Sequence, residues 1–464
     1  MCAAFAAWQS PNFTGRPKLG RGNDLIVSRM HTRSETPTLP FWVFLAFPAV
    51  AMSLGWAYRG FIGGGPLGAM IPGAMVALAL CWLLGYRQLD NLGLIAAFGA
   101  VGIGFGGEMT YGQTVGLASD LNTMGWGILG LTVKGAIWGF SGGAVLALAF
   151  TIGRYRPGRV IAGLCLMAFG TWLGWYTVNA PKLIYFSNRL DRPREEMWMG
   201  LFVGTLFLLL ACATSPFNRV MWRFASYAFA GGGLGFGLGG VLLSLGRNSS
   251  LDQSLWPWWK GMEYTFGLLF GLALAYAAWQ ERDTLREAAA TMAPRPTVSL
   301  PGVGVLTILV FLAAVTANLN FGYLSLTRFD YSLIGVVLLA VALVHETLAW
   351  HIAITMTSLA FLFDLGEAAA NDWLLFPLDA ALPLGLLIVI PIWWLVEQVR
   401  QSGAQAAPFG FHLICWTAYL VTTEKTMGQL YFRSHVPVEY LLFAVFGVAT
   451  YWLSTRVRRS NVLA

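Results

Sequence analysis

Charge is the scarcest thing in this sequence. Asp, Glu, Lys and Arg make up 11% of its 464 residues, against roughly 25% in soluble globular domains. A chain so poor in charge cannot cover its own surface with groups that water accepts, which excludes an ordinary soluble protein. Acids are scarcer than bases, 22 against 29, and the formal net charge is +7. The bases lie in short loops between apolar runs and form no stripe interleaved with aromatics, so no nucleic-acid partner is expected. The five cysteines, Cys2, Cys81, Cys165, Cys212 and Cys415, have no paired spacing. That excludes a disulfide framework and a cysteine metal cluster. No leader with an apolar core and a cleavage site opens the chain. After the first 38 residues the longest non-membrane stretch is about twenty residues, too short for a soluble catalytic domain.

What is present points one way. Hydrophobic residues make up 57% of the chain, with 20 Trp and 54 Gly, and the mean hydropathy is +0.63. Apolar runs of roughly 20 residues recur, each long enough for one crossing. Trp gathers at membrane interfaces, and Gly is commoner in membrane helices than in soluble ones. The expected fold is an all-α polytopic integral membrane protein with about 14 transmembrane helices. Their centres fall near Ala49, Val76, Val101, Ile137, Met167, Leu206, Gly235, Leu268, Ile308, Leu338, Leu359, Leu387, Tyr419 and Val445. Loops such as RYRPGR, NRVMWR and QERDTLREAAATMAPRP are Arg-rich. The positive-inside rule puts them, and both termini, in the cytoplasm, the membrane being the bacterial inner (plasma) membrane. The loop from Lys182 to Glu196 is an exception, with four basic residues and three acids on the opposite side.

The organisation follows. Residues 1–38 read as a basic, disordered cytoplasmic tail, with Met30 as an alternative start. Residues 39–280 form a first membrane bundle, 281–301 a cytoplasmic linker, 302–456 a C-terminal bundle and 457–464 a basic tail. The first bundle contains a repeat. GIGFGGEMTYGQ from Gly102 has its counterpart in GLGFGLGGVLLSLG from Gly233, and Lys134-Gly135 in Lys260-Gly261. Leu54-Gly55-Trp56 matches Leu173-Gly174-Trp175. The first eight spans then form a parallel 4+4 internal repeat, 39–155 and 159–280, a construction known in transporters.

Both copies carry GxGxxG, at Gly102/Gly104/Gly107 and Gly235/Gly237/Gly240. A dinucleotide site needs a strand before that motif. Here it lies inside an apolar run, so no cofactor is expected. Small residues four apart, such as Gly102/Gly106, Gly139/Gly143, Gly235/Gly239 and Gly267/Gly271, suit close helix packing instead.

The intramembrane charges are the candidate binding residues. A charge at mid-bilayer costs about 2.5–3.5 kcal/mol on insertion scales and is functional by default. Glu108 and Lys134 are expected to meet across adjacent helices, as a structural ion pair with the lysine snorkelling outward or as a solute or proton site. In the second copy Lys260 and Glu263, three apart, share one helical face. Arg59 stands before Gly63-Gly64-Gly65-Pro66, which reads as a tight turn or as a broken helix presenting backbone groups to an anion. His345, Glu346 and His351 do not make a zinc site, because six residues turn a helix through about 600°; no metal is expected. Asp364, Glu367, Asp372 and Asp379 form an outer acidic concentration with Glu424, Lys425 and His435.

The expected function is transport of a small solute, with Glu108, Lys134, Lys260, Glu263 and Arg59 binding it and the lipid bilayer as the surroundings. One alternative is a membrane transferase for a lipid-linked or phosphate-bearing substrate. It would use outer acids such as Asp364, Glu367 or Asp372, with Arg59 or Lys182 on a phosphate. Another is a non-catalytic subunit of a membrane complex.

Overall fold

A computed structural model describes residues 39–62, 65–86, 89–188, 194–251, 256–290, 329–354, 391, 393–433 and 437–462. Every regular element among them is helical: α1 (Phe41–Ile62), α2 (Pro66–Leu84), α3 (Leu89–Phe105), α4 (Gly112–Ser119), α5 (Met124–Thr151), α6 (Pro157–Gly174), α7 (Trp198–Ala211), α8 (Asn218–Arg247), α9 (Trp258–Gln280), α10 (Arg282–Ala290), α11 (Phe329–Val344), α12 (Ala406–Arg433) and α13 (Pro437–Val462). Among the described residues, eight helices are long and apolar enough to cross a membrane: α1, α2, α3, α5, α6, α8, α9 and α13. The chain is therefore of the helical integral-membrane class. Apolar α7 and α11 are shorter. The span centres expected at Ile308, Leu359 and Leu387 lie outside the described residues.

Helix ends follow local chemistry. Pro66 opens α2 at a position where a missing N–H costs nothing. Gly85 closes it in the left-handed conformation (φ 74°), and the amides of Gly85 and Tyr86 donate to Trp82 O and Cys81 O. The end of α6 widens into a π turn at Trp175–Asn179. Asn179 Oδ1 then accepts the Met199 and Gly200 amides, both at 3.1 Å. A residue from another helix thus caps α7.

The glycines do what close packing requires. Gly135, Gly139 and Gly143 of α5 lie on Gly232, Ala228 and Phe224 of α8, backbone against backbone, in antiparallel register. Gly235 and Gly239 of α8 pack on Phe266 and Met262 of α9. A Cβ at Gly267 would lie 2.6 Å from Ser53 Cα of α1, and one at Gly102 would lie 2.8 Å from Val145 of α5. Helices α2, α3 and α5 form the interior of the bundle, nearly all their residues buried. Large apolar side chains are exposed instead on α6 (Leu166, Phe169), α8 (Leu234, Leu238) and α13 (Val448, Tyr451), as lipid contact requires.

The Arg-rich loops gather at one end of the bundle on α10, which lies within the expected linker. Glu287 takes Arg154 at 3.1 Å, Arg286 Nε donates to Leu84 O, and Tyr86 donates to Leu285 O. Just before α10, the buried carboxylate of Glu281 faces Arg223 and Arg219. Helix α1 packs along α2, α6 along α7, α3 along α5, and α8 along α9. Helix α2 also packs along α3, whereas the short α7 lies against α6 and α5 rather than along α8.

Candidate functional site

The opposite end of the bundle holds two buried charge clusters side by side. The loop Thr110-Tyr111 between α3 and α4 separates them, with Thr110 facing one and Tyr111 the other.

The first cluster is closed. Lys134, nearly three turns into α5, donates to Thr110 O at 2.6 Å, Thr114 Oγ1 at 2.8 Å and Glu196 Oε1 at 2.6 Å. An ammonium has no further proton to offer. Glu196 Oε1 also accepts Ser187 Oγ, while Oε2 accepts the Phe186 amide and the Trp198 indole. Both charged side chains are fully buried. The expected Glu108–Lys134 pairing is thereby corrected: Lys134 pairs with Glu196, delivered by the chain entering α7. Glu108, at the end of α3, instead accepts Ser332 Oγ of α11 at 2.5 Å.

The second cluster centres on α9. Lys260 and Glu263 do share a face of α9, with Nζ and Oε2 3.1 Å apart. Lys260 also reaches Ala57 O at 3.4 Å. Glu263 Oε1 accepts Trp259 Nε1 at 3.0 Å and the Tyr111 hydroxyl at 3.1 Å. Tyr111 in turn accepts Arg59 Nη1 at 2.5 Å. Three elements distant in sequence thus form one chain of contacts: Arg59, Tyr111, Glu263, Lys260. Burial pushes the Tyr111 phenol well above its ordinary pKa, against the opposing pull of Arg59 and with a further push from Glu263. It remains a hydroxyl and can bridge both neighbours.

Arg59 is 3% exposed. Its guanidinium carbon lies 5.5, 5.1 and 5.3 Å from the ring centroids of Trp56, Tyr111 and Trp138. Such rings stabilise a cation through their negative faces. Among the described residues Arg59 makes no ion pair, and its Nε has no acceptor. The buried Trp56 indole N–H also lacks one. Beneath, Trp56, Trp138, Phe236 and Phe266 form an aromatic floor, with Phe236 stacked on Phe266 at 3.8 Å. Gly60 is exposed, and a Cβ there would collide with Lys260 Nζ and lie 2.7 Å from Glu263 Oε2. The missing side chain lets the ion pair pack directly against α1, one residue from Arg59.

Three of the five expected site residues, Arg59, Lys260 and Glu263, therefore converge; Lys134 and Glu108 belong to neighbouring contacts. Tyr111, Trp138, Trp259, Gly60 and Glu196 were not singled out by sequence. Glu196 had a visible signal, standing in the outer loop whose basic residues come with acids. Tyr111 and Trp138 had none beyond their place in the repeated stretch. His351 Nε2 lies 3.7 Å from Glu397, while Glu346 accepts the Gly93 amide, so these residues serve different contacts. Among the described residues no group of three or more His, Cys, Asp or Glu could hold a metal. Asp364, Glu367, Asp372, Asp379 and His435 lie outside the described residues; Glu424 and Lys425 lie on α12. Lys182 is in a turn with φ 55°, its ammonium 5.4 Å from the Tyr185 ring.

No protein-family profile, curated protein or solved structure matches this chain. A functional reading therefore rests on the site itself.

Proposed function

We propose that the protein carries a small solute across the membrane, and that Arg59, Tyr111, Lys260 and Glu263 form its site. The observation that supports this most is the buried Arg59, caged by aromatics and without a carboxylate of its own. Buried charges are ordinarily paired and hydrogen-bonded. The Lys134–Glu196 pair obeys that rule completely and reads as a structural clasp. Arg59 departs from it, buried among aromatic rings and with no carboxylate against it among the described residues, as a residue of a binding site does. Intramembrane ionisable groups mark solute and ion pathways.

The same reading takes the chain as about 14 spans built on a parallel 4+4 repeat in its first eight. The Arg-rich end and both termini are cytoplasmic, and the Arg59 end faces out. Reporter tags after Ala464 and within residues 291–301 should then both report from the cytoplasm. Opposite reporting from the two sites would sink the span count.

Flux tests the carrier itself. The full chain in proteoliposomes should show saturable uptake for a member of a panel of labelled small solutes. Arg59→Gln should abolish it, as should Lys260→Met combined with Glu263→Gln. Lys134→Met with Glu196→Gln should retain it. Uptake that ignores the Arg59 and Lys260/Glu263 changes, or a panel without any uptake, would refute the proposal. Transfer from a lipid-linked donor would point to the transferase instead.

A further inference from the structure

We propose that the Arg-rich end of the bundle binds an anionic phospholipid at the corner between α6 and α7, with its phosphate on Arg156, Arg159 and Thr214. The inference needs only a chain that crosses a membrane, and it does not depend on the carrier.

The surplus charge comes first. The sequence has no Asp or Glu between Asp120 and Asp191, or between Glu196 and Asp252. The turns before α6 and after α7 therefore carry arginines and no acid of their own. Acids from the end of α9 and from α10 serve some of these arginines: Glu287 takes Arg154, and Glu281 takes Arg223 and Arg219. Arg156 and Arg159 are exposed and meet no carboxylate among the described residues. Arg159 donates instead to the Thr214 hydroxyl across the corner. Its amide donates to Arg156 O at 2.9 Å, so both arginines belong to the opening turn of α6. The Thr214 hydroxyl accepts in its bond with Arg159 and keeps a proton to donate. At Gly158, between the arginines, an added Cβ would meet nothing within 4 Å. The corner is thus open, and it offers donors and positive charge to a group that only accepts. Arg is suited to phosphate for this reason.

The surface leading away from the corner narrows the partner. Arg159, Ala162, Leu166 and Phe169 recur at helical spacing along α6, and all are exposed. Leu210, 63% exposed, stands one turn before Thr214. Phe207 of α7 lies beside Phe169, with ring centroids 6.2 Å apart. Phe169 comes ten positions after Arg159, about 15 Å along the helix. That is half of a hydrocarbon core roughly 30 Å thick. A headgroup on the arginines would lay its acyl chain on apolar side chains over the depth of one leaflet. A free phosphate would use the corner alone. A zwitterionic headgroup would bring an ammonium to a place that is already cationic, so a net negative one is favoured.

The test is native mass spectrometry of the full chain in detergent, titrated with dioleoyl phosphatidylglycerol, dioleoyl phosphatidylcholine, oleate and inorganic phosphate. Phosphatidylglycerol should bind its tightest site at least about ten-fold better than each of the others binds. Arg156→Gln with Arg159→Gln should weaken that site by about twenty-five-fold, roughly five-fold for each arginine near a membrane surface. Arg458→Gln with Arg459→Gln is the control. It removes the same charge from the end of α13, at the same end of the bundle, where Trp452 stacks on Trp42 and Phe41 meets Trp279. The control should leave the tightest site within about two-fold of the wild type. All four arginines are exposed, so both variants should fold. Three results would overturn the inference: phosphatidylcholine binding as tightly, oleate or inorganic phosphate binding as tightly, or a loss in the α6 variant no larger than in the control.

Discussion

Lys134→Met should cost about 3–5 kcal/mol of stability, the loss expected when one partner of a fully buried ion pair is removed. The remaining carboxylate, Glu196, would keep Ser187, the Phe186 amide and the Trp198 indole as donors, but its charge would have no counterion in a low-dielectric setting. Thr110 O and Thr114 Oγ1 would lose their donor as well. Adding Glu196→Gln should recover most of the loss. The glutamine carbonyl can take the place of Oε2 and accept from Phe186 and Trp198. Its amide then faces Ser187 and the two threonines, which can all accept. The measurement is a two-by-two cycle of unfolding midpoints in mixed micelles. Equal destabilisation in the single and double variants would mean that the charges are not coupled, and the clasp would have to be abandoned.

Gly139→Leu should prevent assembly of the fold. A Cβ at this position falls on the carbonyl of Ala228, in the middle of the α5–α8 seam. Overpacking typically costs about 1–3 kcal/mol when side chains can shift. Here both colliding groups belong to backbones, so relief requires α5 and α8 to move apart along several residues. The cost should exceed that range. Gly104→Leu and Gly237→Leu should be milder. Their neighbours are the side chains of Tyr331 and Thr132, and side chains can rotate. Gly158→Leu, exposed and with nothing within 4 Å, is the control. Monodisperse yield after purification ranks the four. A folded Gly139→Leu would mean that the seam is not the contact that holds α5 to α8.

The class of fold was legible because the bilayer imposes it: long apolar runs, few charges and Arg-rich loops leave little choice but helices. The glycine pairs were legible for a related reason. Small residues four apart mean close helices, and Gly139/Gly143 and Gly267/Gly271 do touch α8 and α1. Pairing partners were a different matter. Lys260 and Glu263 could be joined from sequence because a helix fixes their geometry. Lys134 could not be joined to Glu196, because that contact depends on how the irregular segment before α7 folds back. The repeat suggested that each copy supplies its own acid, and Glu108 was the nearest candidate. Glu108 instead lies in the turn just past the end of α3, facing Ser332 on α11. Arg59 was noticed for its neighbouring glycines, yet its aromatic cage joins α1, α5 and the loop at Tyr111. No local pattern announces such a convergence.

The Lys134–Glu196 contact also has a history in time. The two residues are 62 positions apart. At synthesis rates of about 5–20 residues per second, Lys134 is made roughly 3–12 s before its counterion exists. During that interval α5 is a nascent helix carrying a lone ammonium. Its place ten residues from the start of the helix lets the long side chain reach toward the interface while it waits. The hydroxyl of Tyr111 waits longer for Glu263, 152 positions downstream, roughly 8–30 s at the same rates. The second cluster is thus complete only when α9 arrives, well after both partners of the clasp beside it have been made.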